Sequence, residues 1–249
     1  MTNTKKGYFN AQSTRIEEAK QRIAKYAVTK YLVPGDSIVI DAGTSLWPIA
    51  EQLAKTGEYG YSVMTHNYMA FDKLKGRAKE GGMNLFLAGG RYDDDLKAFF
   101  GDLTCKAYGS FGPRKVFIGV SGLSAGAGLR CRGNTEESQV KEIISKLPTQ
   151  HRIIVADFTK FGNTDALQFA NTSDLAVATM EQAEGYTPYR ILVTIVTNKP
   201  NKKDYQEYAE WLKKRRTNDK FIPKFGDMQA IFDLEVKNFK AFEIEVDII

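Results

Sequence analysis

The chain has 249 residues, 43% hydrophobic and 12% aromatic, enough to bury a full-sized core, and no stretch has a disordered composition. Thirty-five basic and thirty acidic side chains leave a net charge of +5, which suits an anionic partner without selecting nucleic acid over a small metabolite. The opening MTNTKKGYFNAQ has no apolar signal core, no apolar run reaches about 18 residues, and the two cysteines and two histidines lack metal-ligand spacing, so a cytoplasmic protein with reduced thiols, no metal, no cofactor and no membrane partner is expected.

In chain order, Ile16, Ala19, Ile23, Ala27 and Tyr31 recur at helical spacing and predict a helix over 13–32, with Thr14 and Glu17 as a capping box. Pro34-Gly35-Asp36 ends it and hands over to a strand at Ile38–Ile40. Further apolar runs predict strands at 61–65, 83–88, 116–120, 153–156 and 175–178, and helical periods predict helices at 46–55, 68–79 and 135–147. Near-continuous apolar strands alternating with helices imply an α/β fold, a Rossmann-like, largely parallel sheet flanked by helices. Beyond Gly185 the pattern changes. Ile191, Val193 and Ile195 alternate, Tyr205, Tyr208, Ala209 and Leu212 mark a helix face, and Phe232–Val236 and Phe242–Ile248 read as two more strands. The expected division is an N-terminal arm (1–14), a main α/β domain (15–184) and a small α+β C-terminal extension (185–249).

Ligands of open parallel sheets bind outside the carboxyl ends of the strands. The segments there are polar and glycine-rich: Asp41-Ala-Gly-Thr-Ser45, Thr65-His-Asn67, Gly89-Gly-Arg91, Ser121–Gly128 and Asp157-Phe-Thr-Lys-Phe-Gly162. Gly43 permits a tight turn, after which the free N–H groups of Thr44, Ser45 and Leu46 at a helix start are expected to face an anion, the competing view being that Thr44 or Ser45 merely caps the helix. The sequence holds neither GxxxxGK[ST] nor GxGxxG after the first strand, which removes support for nucleoside triphosphate or dinucleotide binding. Lys160 reads as a phosphate ligand, a proton-transfer or Schiff-base lysine, or a solvated surface cation. Asp41 and Asp157 are placed to accept sugar hydroxyls or to brace their loops, His66 to titrate or to pack, and Arg91 to clamp an anion or to lie on the surface. The run Lys213–Arg216 beside Tyr208 and Trp211 reads as a solvated helix face, with nucleic-acid contact as the competing view.

Taken in order, these segments resemble the effector-sensing domain of the DeoR family of bacterial transcription regulators, over roughly Arg15 to Thr179. The resemblance rests on Glu18–Ala27 (family EK..IA..A), Pro34-Gly-Asp36, Asp41–Ser45 (D-x-GTT), Val63–His66 (V-x-TN), Gly89–Tyr92 (GG-x-Y), Gly101, Phe117–Gly122 (F-x-G-x-x-G), Glu137–Lys141 (E-x-x-VK) and Asp157–Gly162 (D-x-SKFG). It implies a ribose-5-phosphate isomerase-like fold that binds a phosphorylated sugar or related anionic metabolite and forms a homo-oligomer. It implies that Gly43, Thr44 and Ser45 hold the phosphate and that His66, Gly89, Gly90 and Lys160 line the rest of the pocket; with Asp41, Thr65 and Arg91 from the strand ends these are the expected ligand-binding residues, and no catalytic residue is expected. The alternative is a sugar-phosphate isomerase or deaminase-like enzyme using Lys160 with Asp41, Asp157 or His66.

Three departures from the family pattern stand out. The usual winged helix-turn-helix of roughly sixty residues is missing ahead of the first helix, so no direct DNA binding is expected from this chain. His66 replaces the family asparagine, with Asn67 beside it, and the tail beyond Gly185 is longer than the family norm.

Overall fold

The computed structural model describes residues 12, 14, 16–132, 134–164, 167–176, 191–215 and 224–249. The chain runs through α1 (Glu17–Tyr31), β1 (Ser37–Ile40), α2 (Trp47–Lys55), β2 (Tyr61–Thr65), α3 (Tyr68–Lys79) and β3 (Met83–Leu87). A hairpin of β4 (Arg91–Asp93) and β5 (Ala98–Phe100) leads to α4 (Asp102–Gly109) and β6 (Lys115–Gly119). Short strands β7 (Gly122–Ser124) and β8 (Gly128–Cys131) precede α5 (Thr135–Lys146) and β9 (His151–Val155). A 3-10 turn at Phe158–Lys160, β10 (Leu167–Ala170) and α6 (Thr172–Ala176) follow, and then β11 (Leu192–Thr197), α7 (Lys202–Arg215), α8 (Phe225–Ala241) and β12 (Glu245–Ile248).

Seven strands form one sheet in the order β12-β11-β9-β6-β1-β2-β3, with every pairing parallel. Alternate residues supply opposite faces. Ile38, Ile40, Phe117, Ile153 and Val155 join Ile23, Ala27, Ile49, Leu53 and Leu74 of α1–α3 on one side. Val39, Val116, Ile118 and Ile154 join Tyr108, Val140, Ile144, Phe232 and Phe239 of α4, α5 and α8 on the other. Burial on both faces is why these strands read as continuous apolar runs. From β1 the chain moves outward to β3, then returns to place β6 on the other side of β1. The boundary between β1 and β6 is therefore the topological switch point, where the loops diverge and leave a crevice at the carboxyl ends.

Helix starts are set locally in two cases. Asn67 accepts from the N–H groups of Met69 and Ala70 at α3, and Asn134 from those of Glu136 and Glu137 at α5. The expected Thr14–Glu17 capping box does not close α1: the N-cap is Ile16, at φ 44°, without a side-chain cap. Two expected strands are helical instead. Leu175 lies in α6, with residues 177–178 outside the described ones. Phe232–Val236 belongs to α8, because Phe232, Val236 and Phe239 recur at spacings of four and three and turn inward together while Leu234 is 57% exposed.

The C-terminal segment is mixed α and β as expected, and it builds onto the main sheet. The β12 residue Asp247 accepts from Lys30 Nζ at 2.7 Å, Tyr26 Oη at 3.1 Å and the Tyr31 hydroxyl, all from α1. Glu235 of α8 accepts from Ser124 Oγ and Ala125 N, both at 2.8 Å, while Phe232 packs 4.7 Å from the ring of Phe161. Cys105 and Cys131 are free thiols. Among the described residues no helix is long and apolar enough to cross a membrane, and no His/Cys/Asp/Glu group could hold a metal ion.

Candidate functional site

At the switch point the carboxylate of Asp41 joins two strand-end loops. One oxygen accepts from Ala42 N at 2.7 Å and the other from Gly119 N at 2.9 Å. Gly43, at φ 132°, turns the chain so that its carbonyl accepts from the N–H groups of Leu46 and Trp47 at 3.1 and 3.4 Å, which starts α2. The N–H groups of Thr44 and Ser45 have no partner among the described residues, and they stand at the positive end of the helix. The buried Lys20 ammonium of α1 donates to Thr44 Oγ1 at 3.2 Å and to the carbonyl of Gln12.

Beneath this loop lies Lys141 of α5. Its ammonium contacts Asp41, donates to Gly119 O at 2.9 Å and stands 4.0 Å from Glu137. Burial works against the charge on Lys141, but the Asp41 and Glu137 carboxylates outweigh it and hold its pKa above the ordinary lysine value. Burial raises the Glu137 carboxyl, with Lys141 opposing and Asp41 reinforcing, and Glu137 Oε2 is buried without a hydrogen-bond partner.

These elements enclose a cavity of about 50 Å³. Its wall includes Gly43, Thr44, Ser45, Ser121, Glu137, Lys141 and Lys160, with Leu96 and Phe100 of the β4–β5 hairpin on the apolar side. Leu96 and Glu137 also line an adjoining recess of about 220 Å³ with Asp93, Asp95, Arg132 and Asn134. Drug-sized ligands occupy pockets of roughly 300–1,000 Å³, so the cavity as it stands is smaller than such a ligand needs.

Of the sequence-derived ligand residues, Gly43, Thr44, Ser45 and Lys160 reach the cavity wall together. Thr65, His66, Asp41 and Asp157 do not: each is fully buried behind it. Thr65 Oγ1 donates to Ile40 O at 2.6 Å and accepts from Asn67 N at 3.0 Å, tying β2 to β1. Asp157 caps the 3-10 turn through Thr159 N at 3.0 Å and so sets the turn that ends on Lys160. His66 shares a 2.7 Å hydrogen bond with Tyr108 Oη, packs edge-on against Phe100 and Tyr108, and keeps Nε2 3.6 Å from Asp41. Burial holds its pKa down at about 4, with Asp41 opposing and Lys141 adding to the depression, so the imidazole is neutral at pH 7.

Gly89, Gly90 and Arg91 are also absent from the wall. A Cβ at Gly90 would lie 2.4 Å from Thr104 Oγ1 and 2.5 Å from Phe100 O, so this glycine serves the seating of the hairpin on α4. Arg91 is largely exposed and pairs with Glu136 and, at 3.7 Å, with Asp93. Lys213 and Lys214 of the basic run are exposed on α7, with residue 216 outside the described ones. In the sequence Glu137 and Lys141 stand out only as a family-like motif, with nothing to assign them to the site. Their signal is a polar i, i+4 pair on a helix whose apolar face is Val140 and Ile144.

Residues 15–182 match the family model described as the DeoR C terminal sensor domain. The chain is 23% identical over 168 residues to the transcriptional repressor AccR of Agrobacterium fabrum, covering 68% of this chain and 63% of that one. It is 26% identical over 162 residues to the lactose phosphotransferase system repressor of Staphylococcus epidermidis, covering 65% and 61%. It thus spans less than two thirds of the length of these relatives. Ribose 5 phosphate isomerase A from Neisseria gonorrhoeae is similar at 14% identity and a TM-score of 0.39, over 60% of this chain and 55% of that one. With the family model matching more than half of its residues, the chain belongs to the DeoR C-terminal sensor domain family.

Proposed function

We propose that this sensor domain binds a phosphorylated sugar or a closely related anionic metabolite in the cavity at the β1–β6 switch point. The observation that carries the reading is that Thr44 and Ser45, whose N–H groups have no partner among the described residues, line one cavity together with Lys160. On this reading the phosphate lies against Thr44, Ser45 and Lys160, and Glu137 and Ser121 meet the sugar hydroxyls. Binding then acts as a signal because the closed cavity and the opened one differ in affinity for the ligand, which shifts the population toward the open hairpin. The relatives support the regulatory half of the proposal, since two of them are named as repressors, one of a sugar phosphotransferase system.

A second reading, isomerase or deaminase-like catalysis, draws on Glu137 alone. Its buried, unpartnered Oε2 and raised pKa suit a proton-transfer group, whereas Asp41, Asp157 and His66 stand behind the wall.

The test follows thermal unfolding and product formation together across a panel of sugar phosphates. Stabilisation without turnover, lost in Lys160→Ala, supports the sensor. Turnover abolished by Glu137→Gln supports the enzyme, and the absence of stabilisation by any phosphate ester overturns both.

A further inference from the structure

On the same face of the sheet, but toward the amino ends of the strands, lies a cavity of about 490 Å³ walled by the C-terminal half of α5, by β10 and by α6. Ser145, Arg152, Phe169 and Leu175 form its buried wall, and Lys146 and Gln168 stand on its exposed rim. Arg152 is the second residue of β9 and is 4% exposed. One terminal nitrogen donates to Leu147 O at 3.3 Å, while Nε and the other terminal nitrogen are buried without any partner. No carboxylate among the described residues forms an ion pair with it. Burial alone depresses its pKa to about 10.

A buried guanidinium with five donors and a single acceptor is costly, and buried cations are ordinarily paired. Two acids stand at the rim of the cavity and both are engaged elsewhere: Glu142 with Lys146 at 2.6 Å, and Asp174 with the Asn171 amide at 2.9 Å. Among the described residues no oxyanion meets Arg152 in this cavity.

We propose that this cavity is a second ligand site, which takes a small organic anion with its carboxylate or phosphate on Arg152 and its body along Phe169 and Leu175. The fork of guanidinium donors suits either oxyanion, Lys146 offers further ammonium donors at the rim while its charge is balanced by Glu142, and Asp174 restricts the site to ligands of low charge. The site does not depend on the cavity at the switch point. Helix α5 nevertheless serves both: Glu137 and Lys141 face one, Ser145 and Lys146 the other, and Lys141 Nζ lies 5.7 Å from the ring of Phe169.

The experiment uses the whole chain carrying Lys160→Ala, so that the switch-point cavity does not contribute, and follows thermal unfolding with inorganic phosphate or benzoate against chloride at equal ionic strength. A rise of roughly 2 °C or more with one of the two anions is expected, and which anion acts distinguishes a phosphate from a carboxylate ligand. Adding Arg152→Met should abolish the shift and leave the chloride midpoint unchanged or higher, because it removes an uncompensated buried charge. Should that variant not fold, Lys146→Ala with Gln168→Ala at the exposed rim is expected to weaken binding several-fold. No shift with either anion, or a full shift surviving Arg152→Met or the rim pair, overturns the proposal. A chloride midpoint clearly lowered in folded Arg152→Met does so as well, since it would make Arg152 a structural cap of α5.

Discussion

The carboxylate of Asp41 and the ammonium of Lys141, a hundred residues apart in the chain, form an ion pair withdrawn from water, with side-chain exposures of 0% and 3%. Asp41 also holds the N–H groups of Ala42 and Gly119, and Lys141 holds the carbonyl of Gly119. One pair thereby fixes the two loops of the switch point and α5 in a single arrangement. Asp41 supports the cavity and does not line it.

Breaking this pair from one side leaves the other charge buried and alone. Lys141→Met is expected to lower stability by about 3–5 kcal/mol, and Asp41→Asn combined with Lys141→Met to recover part of that loss. Urea unfolding of the two single variants and the double variant checks it. Additive losses would show that the residues act independently.

Stability should fall as the solution is acidified below pH 6.5. Burial holds both His66 and His151 at about 4, against 6.5 for an ordinary histidine. The unfolded chain therefore takes up protons between pH 6.5 and 4 that the folded chain does not. Their contribution is fully present above pH 6.5, declines as pH falls and levels off near pH 4. Each histidine accounts for about 2 kcal/mol between pH 7 and pH 5. Urea unfolding at pH 7, 6 and 5 measures the slope, which His66→Asn should roughly halve.

Gly90 is set by steric demand. With φ at +140° and the Phe100 carbonyl 2.5 Å from any added Cβ, Gly90→Ala must displace the hairpin from α4. A loss of roughly 2–4 kcal/mol is expected from strain and overpacking together. Gly89→Ala, with open space around its Cβ, serves as the matched control and should stay near wild type. Thermal unfolding distinguishes the two.

Glu235 ties the C-terminal segment to the β7–β8 turn. Glu235→Ala strips Ser124 Oγ and Ala125 N of their buried acceptor, at a cost of about 2–3 kcal/mol. The β7–β8 turn it holds is joined through β7 to Ser121 of the cavity wall, and α8 also packs on Gly162, two residues after Lys160. Sugar-phosphate affinity should therefore fall several-fold in Glu235→Ala, by calorimetry at a temperature where the variant is fully folded. Unchanged affinity would confine α8 to a role in stability.

Much of the α/β layout was legible because a strand buried on both faces needs an unbroken apolar run, as at Ile38–Ile40 and Ile153–Val155, and an amphipathic helix needs a 3.6-residue period, as in 68–79. Phe232–Val236 misled because a short apolar stretch satisfies alternation and helical spacing alike, and packing against Phe161 decided between them. The sequence by itself made Gly43, Thr44, Ser45 and Lys160 legible as strand-end residues, because each follows a recognisable strand, but by the same signal it pointed to Thr65, His66, Gly89, Gly90 and Arg91, which the wall leaves out. It could not determine which polar residues face the cavity and which stand behind it. That division separates Thr65, His66, Asp41 and Asp157 from Glu137 and Lys141, and it depends on strand order and on contacts between residues distant in the chain. Only the tertiary structure supplies those contacts, because a side chain's neighbours across a sheet are set by the register of strands that the local sequence does not encode.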